Sequence, residues 1–238
     1  MSWTITGTQK VNWTPSLITT SLWLDAADFG TIALSSGAVS QWNDKSGNSR
    51  NVSQSTPSLR PAYSDGGLNS KPTIDWGNLA NDKLLTNTST YNPVRIYGVA
   101  LYEGPNPFDA NNGLITFNFT GSVDLYMSNN SGTTWFNNNP VFLNGGSTSS
   151  ATALPGISAP FIFATDFTPI ISRTTTWVGN DRGNTSRSWR GKISEIIILP
   201  TVPGTFERNQ LEGYLAHKWG LASNLPSDHQ FKTAPPVP

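Results

Sequence analysis

Val39-Ser40-Gln41-Trp42-Asn43, followed at once by Asp44-Lys45-Ser46-Gly47-Asn48, sets the pattern on which the fold is read. The first five residues alternate apolar and polar, as a half-buried strand does. The next five are turn formers. The unit recurs along the chain. Ser21-Leu22-Trp23-Leu24-Asp25 precedes it, and Lys71-Pro72-Thr73-Ile74-Asp75-Trp76 follows, with Pro at the strand start where a missing N–H is tolerated. Residues 95–102, 114–119, 123–127, 135–136, 141–143, 161–165, 176–179 and 193–199 read as further strands. Short strands split by Gly, Asn and Pro turns predict an all-β fold, an antiparallel two-sheet sandwich. Alternating βα units are absent.

One segment carries helical spacing. Leu211, Leu215 and Trp219 fall at i, i+4 and i+8, with Phe206 and Tyr214 beside them. The spacing predicts one short C-terminal helix over 205–219, its apolar stripe packed on the sandwich. Gly204 or Thr205 can open it, Glu207 and Lys218 suit its two ends, and Gly220 can supply the left-handed stop. Residues 1–20 read as an N-terminal arm in which Trp3, Ile5, Val11 and Trp13 punctuate polar sequence. Residues 21–238 read as a single domain that includes the helix and a tail made extended by Pro235-Pro236-Val237-Pro238.

Composition narrows the function classes. Of 238 residues only 13% are charged, and Lys plus Arg equals Asp plus Glu, at 15 each. A zero net charge argues against nucleic acid as a partner, because phosphate binding rests on clustered excess cations. Low charge also permits association with copies of the same chain. The absence of cysteine excludes disulfides, thiolate metal sites and Cys nucleophiles. Nine Trp, eleven Phe and six Tyr supply ample core area. No apolar run approaches the ~20 residues that span a bilayer, and no signal-like start is visible, so the expectation is no membrane partner and synthesis in a cytoplasm.

Three blocks carry a family likeness. They are Ser21-Leu22-Trp23-Leu24-Asp25-Ala26-Ala27-Asp28 with residues 39–48, Arg190–Leu199, and Glu207-Arg208-Asn209-Gln210-Leu211-Glu212-Gly213-Tyr214-Leu215-Ala216-His217-Lys218-Trp219-Gly220-Leu221. Together they resemble laminin-G-like, concanavalin A-like jelly-roll domains of bacterial and phage surface proteins. The resemblance implies a two-sheet jelly roll. It implies no single function, since relatives include lectins, adhesion modules, glycan hydrolases and phage particle proteins.

Candidate chemistry is sparse. Glycan hydrolysis needs two facing carboxylates about 5–9.5 Å apart. No strand carries alternating acids, and Glu195 stands alone in its strand, so no catalytic residue is assigned and the chain reads as a non-enzyme. His217 and His229 lack a nucleophile elbow nearby and read as surface or interface histidines. The resemblance makes calcium the one cofactor to consider, held by loop oxygens of Asp25, Asp28 and Asp44; the same residues equally read as turn formers. Glycan-stacking candidates are Trp76 beside Gly77-Asn78, Trp135 before the Asn cluster, and Trp189 in Ser188-Trp189-Arg190. Trp23, Trp42, Trp177 and Trp219 fall in strand or helix pattern and read as core. The cluster of Arg182, Arg187, Arg190 and Lys192 is diluted by polar residues and reads as a solvated face or protein contact.

Two functions follow as expectations. The first is a phage virion structural protein, decorating the capsid, a vertex or the tail, that docks on other virion proteins and on copies of itself through Trp3, Ile5 and Trp13. The second is a lectin-like, carbohydrate-binding module, extracellular or on a cell surface.

Overall fold

The computed structural model describes residues 12–105, 111–119, 122–128, 135–136, 141–148, 158–167 and 172–238. The strands are β1 Leu22–Asp25, β2 Ile32–Ser35, β3 Ala38–Trp42, β4 Val52–Ser53, β5 Ala62–Leu68, β6 Lys71–Asp75, β7 Leu85–Asn87 and β8 Arg95–Tyr102. After them come β9 Gly113–Phe119, β10 Ser122–Ser128, β11 Trp135–Phe136, β12 Val141–Leu143, β13 Gly146–Thr148, β14 Phe161–Asp166, β15 Thr175–Val178 and β16 Gly191–Leu199. The helix α1 is Thr205–Trp219. All strand pairs given by the described residues are antiparallel; one hydrogen-bonded path runs β11-β10-β9-β15-β7-β4-β3-β5-β6-β16-β8-β14-β12-β13, with β1 added to β16 and β2 to β3.

Two apolar interiors lie on opposite faces of the central strands. Ile96, Ala100 and Tyr102 of β8, with Phe161 and Phe163 of β14, face residues of the other half of the path, among them Trp42, Val52, Leu85, Ile115, Phe117 and Val178. This gives the fold its sandwich character. The alternate residues Tyr97, Val99, Leu101, Ile162, Ile197 and Leu199 face Leu211, Leu215, Ala216 and Trp219 of α1. β8 and β16 are therefore covered on both sides, which is why they read as near-continuous apolar runs.

α1 occupies the predicted span. It stops at Gly220, whose φ of 71° is the left-handed conformation that favours glycine. The stop is reinforced from outside. Asn69 and Ser70 hold φ of 49° and 59° in the tight turn between β5 and β6. From there Asn69 Nδ2 donates to Trp219 O at 2.8 Å. Leu211, Leu215 and Trp219 of the predicted stripe are fully buried, and Phe206 beside it is 58% exposed.

The arm boundary at residue 20 falls inside packed structure. Trp13 is 3% exposed and packs edge-on to Tyr214 at 5.9 Å, while its N–H donates to Pro236 O at 3.0 Å. The C-terminal segment straps α1. Phe231 lies over Gly213, where an added Cβ would meet Phe231 Cβ at 2.5 Å, and Lys232 Nζ donates to Ser223 O and Leu225 O.

A glycine lets the central strands close. A Cβ on Gly98 would lie 2.5 Å from Phe163 Cζ and 2.6 Å from the backbone oxygen of Glu195. Gly98→Ala is expected to destabilise the fold by about 1–3 kcal/mol through overpacking, read as a lower urea midpoint with an unchanged slope.

Candidate functional site

The register of β1 on β16 sets Asp25 directly opposite Glu195. Like charges so placed repel. A β-bulge between Ile193 and Glu195 adds a residue to β16 and changes which face the following side chains take. Ile193 faces the sheet-to-sheet interior, whereas Glu195 turns toward α1.

There Glu195 is fully buried and accepts four bonds. Oε1 accepts from Trp23 Nε1 at 2.8 Å and from the Tyr214 hydroxyl at 2.9 Å. Oε2 accepts from Trp219 Nε1 at 2.7 Å and lies 2.8 Å from Lys218 Nζ. Lys218 bridges the two acids, with Nζ also 2.7 Å from Asp25 Oδ1 and 2.9 Å from the Tyr214 hydroxyl. Lys45 holds Asp25 from the other side, 2.9 Å from Oδ2, and reaches Asp28 Oδ2 at 2.9 Å. Its ammonium lies 4.4 Å above the Trp23 ring.

The pair titrates apart. Burial pushes Glu195 upward, against the pull of Lys218. Burial pushes Asp25 upward too, but Lys218 and Lys45 outweigh it and hold Asp25 below its ordinary value. The four partners of Glu195 all act as donors to it, which favours its ionised form. Burial and the neighbouring Glu195 and Asp25 charges push the Tyr214 hydroxyl far upward, so it stays a donor.

Asp44 organises the turn beside this network. Its Oδ1 accepts from Trp23 N and Ser46 N, each at 2.9 Å; its Oδ2 accepts from the Ser46 hydroxyl at 2.7 Å and Arg50 N at 3.0 Å. Lys45 N in turn donates to Trp23 O at 2.8 Å. The turn thus covers the open edge of β1. The calcium expectation is corrected here: Lys45 occupies Asp25 and Asp28, and Asp44 spends its oxygens on its own turn and β1. Among the described residues no group of three or more His, Cys, Asp or Glu could hold a metal ion.

Above the network opens a cleft of about 680 Å³ lined by Asn12, Trp13, Thr14, Trp23, Asp25, Lys45, Lys71, Tyr214, His217, Lys218, Pro235 and Pro236. The resembling sequence blocks thus converge on one place. Trp23, Asp25 and Lys45 come from the first block, Glu195 from the second, and Tyr214 and Lys218 from the third. Glu195, read as a lone acid, is their shared anchor.

Other sequence candidates land elsewhere. Trp76 and Trp189 are both 0% exposed, which corrects the expectation of sugar platforms. The Trp76 ring lies against Gly179, where a Cβ would approach it to 2.1 Å, and Trp189 Nε1 donates to Leu101 O. Trp135 falls on β11, but its side chain lies outside the described residues, as do Trp3 and Ile5. Trp13, expected to reach a partner, is docked on the chain's own helix. Trp42 and Trp219 are fully buried and Trp23 nearly so, whereas Trp177 is half-buried, on the β15 face opposite Val178. Arg182 and Arg187 converge on buried Asp181, and Lys192 pairs with Glu103, so the basic cluster is largely neutralised. His217 Nε2 meets Phe231 O at 2.8 Å, and His229 Nε2 meets Glu212 Oε2 at 3.2 Å.

The chain matches no family model, no curated protein and no solved structure. No helix among the described residues is long and apolar enough to cross a membrane.

Two outcomes test this electrostatic arrangement. Lys218→Met leaves two buried carboxylates without their bridge and is expected to cost about 3–5 kcal/mol in a denaturant titration. Burial pushes Glu212 up to about 7, partly offset by Arg208 and Arg95. The fold therefore holds that proton at pH values where the unfolded chain has released it, and loses the associated stability as pH rises from about 4.5 to about 7. The stability of the native chain relative to Glu212→Gln should fall across that window, and a flat difference would contradict the assignment.

Proposed function

We infer that this chain is a non-enzymatic structural protein of a phage virion, a jelly-roll module of the concanavalin A-like kind that works by docking on other virion proteins and on copies of itself. The observation that carries the non-catalytic reading is the state of the cleft acids. Asp25 is held by two lysines, and Glu195 has both oxygens saturated and no exposed surface. A general acid or base must reach a substrate proton, and neither carboxylate is free to do so. Zero net charge and a surface poor in ionic groups suit dense packing beside neighbours. The surface of a capsid, vertex or tail is the place this reading assigns.

Glycan adhesion, outside or on a cell, is the second reading. What favours it is the cleft itself, with half-buried Tyr214 and the polar groups of Asn12 and Thr14 among its walls.

Mass spectrometry of purified virus-like particles from a producing culture separates the two. The virion reading expects stoichiometric recovery of the chain in the particle band; its recovery only as free protein would overturn that reading.

A further inference from the structure

We propose that the cleft beside α1 binds a carboxylate-bearing sugar and that Lys71 recognises the carboxylate. The inference rests on the glycan reading and is independent of the virion assignment.

Three lysines line the cleft, and they are not equivalent. An ammonium group has three donors. Lys218 directs its own to Asp25, Glu195 and the Tyr214 hydroxyl. Lys45 holds Asp25 and Asp28. Lys71 has no carboxylate within ion-pair distance among the described residues. Asp25, Glu195 and Asp28 are thus already paired with Lys45 and Lys218, and among the described residues the remaining lysine of the cleft is Lys71. A single uncommitted ammonium suits a single carboxylate rather than a polyanion.

The backbone holds Lys71 in place. It opens β6, pairs with Leu68 across the Asn69-Ser70 turn, and that turn is fastened to the end of α1 by Asn69. The Cα of Lys71 is thereby fixed beside the cleft.

The remaining walls suit a saccharide. Half-buried Tyr214 and Pro235 supply apolar surface for a pyranose face, while Asn12 and Thr14 supply amide and hydroxyl groups for its hydroxyls. A volume of about 680 Å³ lies within the range that small ligands occupy. A simple inorganic anion would use the ammonium and leave the ring walls unused.

Calorimetric titration of the full chain at low salt tests the proposal with three probes: an acidic trisaccharide of two galactose residues and one terminal galacturonic acid, the neutral galactose trisaccharide and sodium acetate. The acidic trisaccharide should bind, with about tenfold or greater loss for the neutral one, as expected when a charged hydrogen bond is removed. Lys71→Ala should impose a similar loss at an unchanged melting temperature, and Lys71→Arg should restore binding. Lys71→Gln repeats the measurement if the alanine variant does not fold. Equal binding by the variant and the native chain would overturn the role of Lys71. Acetate binding as tight as the acidic trisaccharide would overturn sugar recognition. Preference for the neutral trisaccharide would sink this inference and leave the glycan reading standing. An absence of saccharide binding would sink both.

Discussion

A lysine between two acids holds this structure in its observed arrangement. The pairing of β1 with β16 places Asp25 opposite Glu195, and sheet geometry alone makes that juxtaposition unfavourable. Lys218 turns it into a clamp, because one ammonium from α1 satisfies both carboxylates. The helix is thereby tied to the first and last strands of the described sheet by directed bonds as well as by apolar contact. Trp23, Tyr214 and Trp219 add donors whose rings also shield the charges from water. In such surroundings each electrostatic contact is stronger than it would be in solvent, and each missing partner is more costly.

Much of the fold was legible because the longer strands and the helix have clear periods. β8, β14 and β16 carry runs of β-branched and aromatic residues, and α1 shows its stripe and its glycine stop. The sequence pattern does not mark β2, β4, β5, β7 and β13. They are short or, as in Ala62-Tyr63-Ser64-Asp65-Gly66-Gly67-Leu68, lack alternation, and they form because neighbours offer them an edge. Phe206, off the i, i+4, i+8 stripe, is exposed and meets only the ring of Phe231 among the described aromatic contacts.

The site was less legible than the fold. Trp76 and Trp189 sit beside turn residues, which suggested exposure. Gly179 removes the Cβ that would keep the Trp76 ring out, so the interior reaches into the loop. Asp25, Asp28 and Asp44 are engaged by lysines and turn amides. Glu195 stands alone in an isoleucine run, where no neighbouring acid suggests a role for it. That solitude was the available signal: a charged residue within a strand covered on both faces must find partners from distant parts of the chain. No local pattern announces the bulge that turns it.

The double cover over β8 and β16 has a consequence for how the molecule opens. Their amides are shut from solvent by one apolar interior beneath and another above. Exposing them takes more than lifting the helix or parting the sheets. Exchange of these amide protons with deuterium should therefore report complete unfolding, while fraying at outer strands and the C-terminal strap passes them by. The middle layer is the slowest clock in the protein, and it is wound by side chains from both ends of the described chain.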